Sequence, residues 1–147
     1  MKEPQQPKVS VVIPHSGADG PLEGCILALR KQTYRRDLVE IIVVLNEASQ
    51  RPLEFRLDPE EVLLWEPHFF SYTARNAGIQ NASGAIIALT DSDTIPQPDW
   101  LEQGVAAIEA SDGLIAGAID LTFSRSPLTP SACYEKLFAF DQEKNVS

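Results

Sequence analysis

The stretch from Gly84 to Asp93 constrains the fold of this chain more than any other part of the sequence. Five apolar residues run together from Ala85 to Leu89, and carboxylates follow where such a run should end. A short apolar run bounded by a glycine and an acidic turn is typical of a strand buried on both faces of a parallel sheet. Because ligands of open α/β sheets bind outside the carboxyl ends of the strands, the pattern predicts a site there.

The carboxylates of Asp91 and Asp93 are a candidate metal-binding pair. Residues two apart in an extended segment point the same way, so both side chains are expected to present oxygens to one point. Hard divalent cations such as Mg²⁺ and Mn²⁺ prefer oxygen ligands of this kind. Aspartate and serine are also turn formers, so the same residues would serve equally well to start a loop. On spacing alone both interpretations stay open, because a short motif needs its structural context.

Short apolar runs alternate with helical patterns along the chain, which predicts an α/β fold with a mainly parallel sheet flanked by helices. The expected strands are residues 9–13, ended by Pro14, and residues 39–45, 62–65, 85–89 and 114–119. The expected helices cover residues 21–32 and 70–82, with further starts at Pro96–Pro98 and at Thr129. The glycine motifs of dinucleotide-binding and P-loop proteins are missing from the sequence, which disfavours both classes.

Length and composition indicate one globular domain. With 147 residues, 44% hydrophobic and 22% charged, we expect a single domain at 9–147 after a flexible segment at 1–8. The net charge of −9 argues against nucleic acid or an anionic membrane surface as the main partner. No apolar run has the length of a signal segment or a membrane span, so a cytoplasmic location is expected. Cys25 and Cys133 fall in apolar helical patterns and are expected to be core thiols.

Three segments, in their order and spacing, resemble family 2 glycosyltransferases of the GT-A fold. The first is VSVVIP at 9–14, which is similar to the family's opening strand. The second is ARNAG at 74–78 with ASGAIIALTDSD at 82–93, which resembles the family's helix, strand and D-x-D block. The third is PDWLE at 98–102. The ordered set spans nearly the whole chain and favours the metal-binding interpretation of the acidic pair.

The resemblance implies that the chain binds a nucleoside diphosphate sugar, with a UDP-sugar as the expected donor, through Mn²⁺ or Mg²⁺. Asp93 would bind the cation that bridges the diphosphate oxygens, and Asp91 would contact the ribose or the cation. Arg75 would lie near the nucleotide, where its permanent charge suits phosphate or ribose contacts. Pro14 and His15 would line the base pocket. The alternatives are a solvated helix arginine and an exposed loop histidine.

The sequence departs from the family's pattern in two places. An aspartate usually closes the family's second strand where it meets the base, but Leu45 stands at that position here, which leaves Asn46 or Glu47 as substitutes. Family members also continue into an acceptor-binding half that brings the carboxylate which deprotonates the acceptor, and we expect this chain to be truncated before that half. Asp120 and Asp141 remain as candidate bases only by default.

Several functions therefore stay open. The chain is interpreted as a glycosyltransferase or its donor-binding half; the alternatives are a non-catalytic module that binds a nucleotide or sugar nucleotide, and an interaction protein built on a degenerate copy of the fold. An apolar stripe of Tyr134, Leu137 and Phe138 on the last expected helix further predicts a homodimer. The competing interpretation is that this helix packs on its own sheet.

Overall fold

The computed structural model describes residues 5–111 and 113–120, and the chain divides into two compact units, Met1–Asp112 and Gly113–Ser147. Among the described residues, all helices and strands belong to the first unit. The second unit contains no strand at 113–120, so the strand predicted at 114–119 is wrong. The large apolar side chains of this segment are exposed to water, and Leu114 is 98% exposed. A strand there would bury no apolar surface, so burial does not favour strand formation.

Two predictions fall on the rest of the second unit. The last helix, with its stripe of Tyr134, Leu137 and Phe138, lies outside the described residues, and so do Cys133 and Asp141. The homodimer therefore stays a prediction.

The first unit alternates strands with helices in the predicted α/β order. Its elements are β1 (Val9–His15), α1 (Asp19–Arg30), a 3-10 turn (Arg36–Leu38), β2 (Val39–Leu45), β3 (Val62–Trp65), α2 (Ser71–Asn81), β4 (Ile86–Leu89) and α3 (Trp100–Ala110). The four strands form one sheet in the order β3-β2-β1-β4. All three strand pairs are parallel, which confirms the predicted sheet. None of the helices at residues 5–111 and 113–120 has the length and apolarity needed to cross a membrane.

The two middle strands, β1 and β2, carry the core. Alternate residues of both strands join Leu22, Cys25 and Ile26 of α1 and Leu101 and Val105 of α3 in one buried cluster. Val12 of β1 and Ile42 and Val44 of β2 form a second cluster with Ala74 of α2 on the other face. Because apolar side chains cover both faces, the strands read as continuous β-branched runs, and β2 and β3 have the bounds that the sequence predicts.

Helix α2 lies unusually close to the sheet at Gly78. A Cβ placed on this glycine would overlap the side chain of Val12 on β1. Small residues at Ala74 and Gly78 are the two buried positions of the helix, so its contact with the sheet depends on their size. The helix that carries Arg75 is fixed in this way over the middle of the sheet.

The first strand continues past the residue predicted to stop it. Pro14 is part of β1, and the strand ends at His15, opposite Leu45 of β2. On the β4 side the pairing ends at Val12, whose carbonyl accepts from the Thr90 N–H at 3.3 Å. Alternate residues of a strand face the same neighbour, so the missing N–H of Pro14 faces the side where pairing has already ended. On the β2 side the His15 carbonyl still accepts from the Asn46 N–H at 2.7 Å.

Strand β4 is not buried on both faces in the described sheet, contrary to prediction. It lies at the edge beside β1; Ile86, Ile87 and Ala88 are half-buried and Leu89 is 45% exposed. An apolar run predicts a strand, but which strands flank it is decided by the chain's topology, which local periodicity does not encode. The predicted helices formed at 19–30 and 71–81, each displaced by one or two residues at its ends.

Candidate functional site

The carboxyl ends of β1, β2 and β4 open on a cavity of about 410 Å³. Its wall is built from the last two residues of β1, from the segments that follow the three strands, and from the starts of α1 and α2: Pro14, His15, Ser16, Ala18, Pro21, Asn46, Ser71, Asp91, Ser92 and Asp93. Five of the six residues predicted for the site therefore border one space, which is where open α/β sheets bind ligands. The sixth, Arg75, is not part of the wall but contacts it through Asp91.

The acidic pair stands on a turn rather than on an extended segment. The Thr94 N–H donates to the Asp91 carbonyl at 3.2 Å, and the Thr94 hydroxyl donates to the same oxygen at 2.8 Å. The alternation expected of a strand therefore does not apply at Asp91 and Asp93, because hydrogen bonding closes a turn there. Both residues nevertheless line the cavity, and the side chain of Asp91 is 58% exposed.

The donor set suits a hard cation that takes most of its ligands from elsewhere. Residues 5–111 and 113–120 hold no group of three or more His, Cys, Asp or Glu side chains placed to enclose a metal. Two exposed carboxylates beside an open cavity instead match Mg²⁺ or Mn²⁺, which is often held by one or two carboxylates plus phosphate and water. The nearby thiol of Cys25 does not compete, because burial, with the negative charges of Asp93 and Asp91, raises its pKa to about 11.

Arg75 is oriented by Asp91. Its Nη2 donates to Asp91 Oδ1 at 2.6 Å, and the arginine side chain is 33% exposed. A guanidinium has five N–H donors, so this contact leaves others for a bound anion. The ion pair joins the helix that packs on the sheet to the turn that follows β4.

His15 is a buried residue and not the exposed loop histidine considered above. It is 3% exposed, and its Nε2 lies 2.9 Å from Asp19 Oδ1 at the start of α1. Its other ring nitrogen, Nδ1, is buried and has no hydrogen-bond partner among the described residues. The family resemblance implies that His15 lines the base pocket; the structure shows the residue in the cavity wall, and the contact with a base stays a prediction.

Asp19 is held ionised by groups that the sequence analysis missed. Arg51 donates from Nη1 to Asp19 Oδ2 at 3.0 Å and from Nη2 to Oδ1 at 2.9 Å, and the Glu54 N–H donates to Oδ2 at 2.7 Å. The hydrogen bonds from Arg51 hold the pKa of Asp19 far below its usual range, although burial acts in the opposite direction. The only sequence signal was indirect: Leu53, Phe55 and Leu57 recur at spacing two and pack on the core.

The family usually has an aspartate at the position of Leu45, and neither Asn46 nor Glu47 replaces it with a carboxylate in the cavity wall. The Asn46 amide donates to the Glu66 carbonyl at 3.0 Å and to the His68 carbonyl at 2.6 Å, so both of its N–H groups have backbone partners. Glu47 is not in the cavity wall; its carboxylate accepts from Arg51 Nε at 2.9 Å and from the Gly17 N–H at 3.0 Å. These hydrogen bonds lower the pKa of Glu47, and those from Arg51 contribute most.

Comparison with known proteins agrees with this geometry. The family model described as Glycosyl transferase family 2 matches residues 10–145. Glycosyltransferase AglE of Haloferax volcanii is 31% identical over 148 residues, covering 96% of this chain and 48% of AglE. The uncharacterized glycosyltransferase YwdF of Bacillus subtilis is 31% identical over 103 residues, covering 67% of this chain and 38% of YwdF. The chain thus spans about half the length of AglE.

Solved structures share the fold at low sequence identity. Mannosyltransferase PcManGT from Pyrobaculum calidifontis, in complex with GDP-Man and Mn²⁺, matches with a TM-score of 0.57 and 22% identity, covering 71% of this chain and 33% of that chain. S. aureus TarS 1-349, in complex with UDP, matches with a TM-score of 0.54 and 19% identity, covering 70% and 32%. These partial matches confirm a GT-A-like fold.

Proposed function

Because the chain belongs to glycosyl transferase family 2, we propose that its cavity binds a nucleoside diphosphate sugar with a divalent cation at Asp91 and Asp93, for transfer of the sugar to an acceptor. The observation that carries the proposal is the meeting of this acidic pair with Pro14, His15 and Asn46 around one cavity at the carboxyl edge of the parallel sheet. Neighbours of the same fold bind GDP-Man with Mn²⁺, or UDP, which supports the same ligand class here.

The charges of the site explain why a cation is needed. The exposed carboxylates of Asp91 and Asp93 would repel a diphosphate, and the protein as a whole carries a net charge of −9. A bound Mn²⁺ or Mg²⁺ would supply positive charge that stabilises the leaving nucleoside diphosphate. Asp93 is the expected ligand of that ion, and Asp91 is expected to share the ion or contact the ribose.

Arg75 and the backbone around the cavity would position the nucleotide. The bond from Arg75 fixes the orientation of Asp91, and the remaining guanidinium donors suit phosphate oxygens. His15 and Pro14, at the end of β1, form the part of the wall proposed to meet the base. We propose no residue for binding the acceptor, because Asp91 and Asp93, the acidic residues of the wall, are both assigned to binding of the donor and its cation.

Calorimetry with UDP and GDP, in the presence and absence of Mn²⁺, tests the proposal. We expect binding to depend on Mn²⁺ and Asp93→Asn to weaken it by at least about tenfold, since charge-assisted ligation to the ion would be lost. Asp37→Asn is a matched control, because it removes the same charge from an exposed aspartate before β2. Nucleotide binding that is indifferent to Mn²⁺, or equal losses in the two variants, would contradict the proposed site.

A further inference from the structure

His15 carries a polar atom that the described structure leaves without a partner. The ring is 1% exposed, and Nδ1 is both buried and unpaired among the described residues. Buried polar groups are nearly always hydrogen-bonded, so an exception calls for an explanation such as a ligand that is absent. This histidine borders the cavity at the end of β1, and the residue opposite it across the β1–β2 pair is the apolar Leu45.

The surroundings of the ring fix which nitrogen carries the proton. Asp19 accepts hydrogen bonds from Arg51 and from the Glu54 N–H, so it is an ionised acceptor. A carboxylate cannot donate, so His15 Nε2, 2.9 Å from Asp19 Oδ1, must be the N–H donor of this pair. In the neutral ring Nδ1 is then an acceptor with a lone pair. Asp19 acts here as a positioning residue for the imidazole.

We propose that His15, resting on the nucleotide-binding function proposed above, selects the base of the donor by accepting a hydrogen bond at Nδ1 from a ring N–H. Uracil and guanine present such an N–H, whereas cytosine and adenine present a lone pair at the corresponding ring nitrogen. A lone pair facing Nδ1 leaves both acceptors unpaired, and a buried unpaired group is costly. Thymine presents the same N–H as uracil, so the structure assigns the donor to the uridine, thymidine or guanosine diphosphate sugars. Binding requires a local adjustment that uncovers Nδ1, of the kind that ligands commonly bring.

The test compares UDP with CDP, which share the ribose and diphosphate and differ at the base edge. With Mn²⁺ present, we expect calorimetry to show UDP bound at least about tenfold more tightly than CDP. His15→Gln keeps an amide that can reach Asp19 but removes the group at Nδ1, and it should bring the two affinities together by weakening UDP. His68→Gln is the matched control, because His68 is the second of two histidines and its side chain is 78% exposed.

The outcomes separate this inference from the proposed function. Binding of UDP that still needs Mn²⁺, with an unchanged UDP-to-CDP ratio in His15→Gln, overturns the role of His15 and leaves the proposed function standing. Equal losses for UDP and CDP also overturn it, because they indicate a contact with the ribose or diphosphate. If the wild type binds no nucleotide with Mn²⁺, the proposed function fails and the inference fails with it.

A second measurement covers the case in which His15→Gln does not fold. With only two histidines, the ring nitrogens of ¹⁵N-labelled wild-type protein can be assigned with the His68→Gln variant. We expect the His15 spectrum to show the tautomer with hydrogen on Nε2, and its Nδ1 signal to shift on addition of UDP and Mn²⁺ but not of CDP and Mn²⁺. An Nδ1 signal that ignores UDP, or that shifts equally with CDP, overturns the proposal.

Discussion

At the scale of single residues, strand ends were readable from the sequence and long-range partners were not. Asp91, Asp93 and Asn46 border the cavity because they follow apolar runs, and such runs are visible locally. Arg51 and Asp19, which fix the start of α1, are 32 positions apart, and neither lies in a local pattern that announces the other. Their pairing depends on how the loop after β2 returns to the segment between β1 and α1, which only the folded chain shows.

Replacing Arg51 should destabilise the protein through Asp19. The carboxylate is 2% exposed, and Arg51→Gln would leave it buried with the Glu54 N–H and His15 alone. Removing one member of a buried ion pair is strongly destabilising because it leaves the other charge buried without its partner, and because Arg51 is 30% exposed we expect a clear loss of stability that is smaller than for a fully buried pair. Urea unfolding at pH 7 measures this loss.

The control for Arg51→Gln is Arg35→Gln, whose partner Asp37 is 64% exposed, so that its replacement should change the stability little. The effect of Arg51→Gln should also depend on pH. The folded pKa of Asp19 is lowered, so its contribution is complete above the unfolded value, about 3.9, and is lost as the pH falls below it. The gap between wild type and Arg51→Gln should therefore narrow at pH 3. A gap that is constant or wider in acid would contradict this account of Asp19.

At the scale of elements, β-branched runs located the strands but not their neighbours. Strands β2 and β3 have the predicted bounds, because a short apolar run between polar segments determines where a buried strand can begin and end. Strand β1 passed through Pro14, because the missing N–H faces a side without pairing. The predicted strand at 114–119 did not form, since periodicity cannot tell whether a neighbouring strand is present to pair with it.

The contact of α2 with β1 predicts opposite effects for two glycine-to-alanine changes. Gly78→Ala forces a methyl group into the side chain of Val12, and overpacking of this kind typically costs about 1–3 kcal/mol. Gly104→Ala, in the middle of α3, meets no atom within 4 Å and should be neutral or stabilise by up to about 1 kcal/mol. Thermal unfolding of the two variants compares them directly. Equal stability would show that α2 does not approach the sheet as closely as described.

At the scale of the whole molecule, the sequence and the structure agree on family and fold class. Apart from Val9, the ordered segments that resemble family 2 glycosyltransferases lie within the matched residues 10–145, and the parallel sheet is that of GT-A neighbours. The chain spans about half of AglE, so transfer to an acceptor is argued for the family and proposed for this protein. Because the protein carries a net charge of −9, binding of an anionic nucleotide requires positive charge at the site itself. The cation proposed at Asp91 and Asp93 supplies that charge, so the proposed function depends on it.

The most direct test of that account is to locate Mn²⁺ by paramagnetic broadening of amide NMR signals in the ¹⁵N-labelled protein. With UDP and Mn²⁺ together, we expect the amide signals of Ser16, Ser92 and Asp93 at the cavity to broaden. The amide signals of Glu40 and Ser83, which lie near the amino ends of β2 and β4, should stay sharp. With Mn²⁺ alone the broadening of these amide signals should be much weaker, because two carboxylates bind the ion only weakly without phosphate ligands. Broadening centred elsewhere, or unchanged by UDP, would contradict a nucleotide–metal site at Asp91 and Asp93.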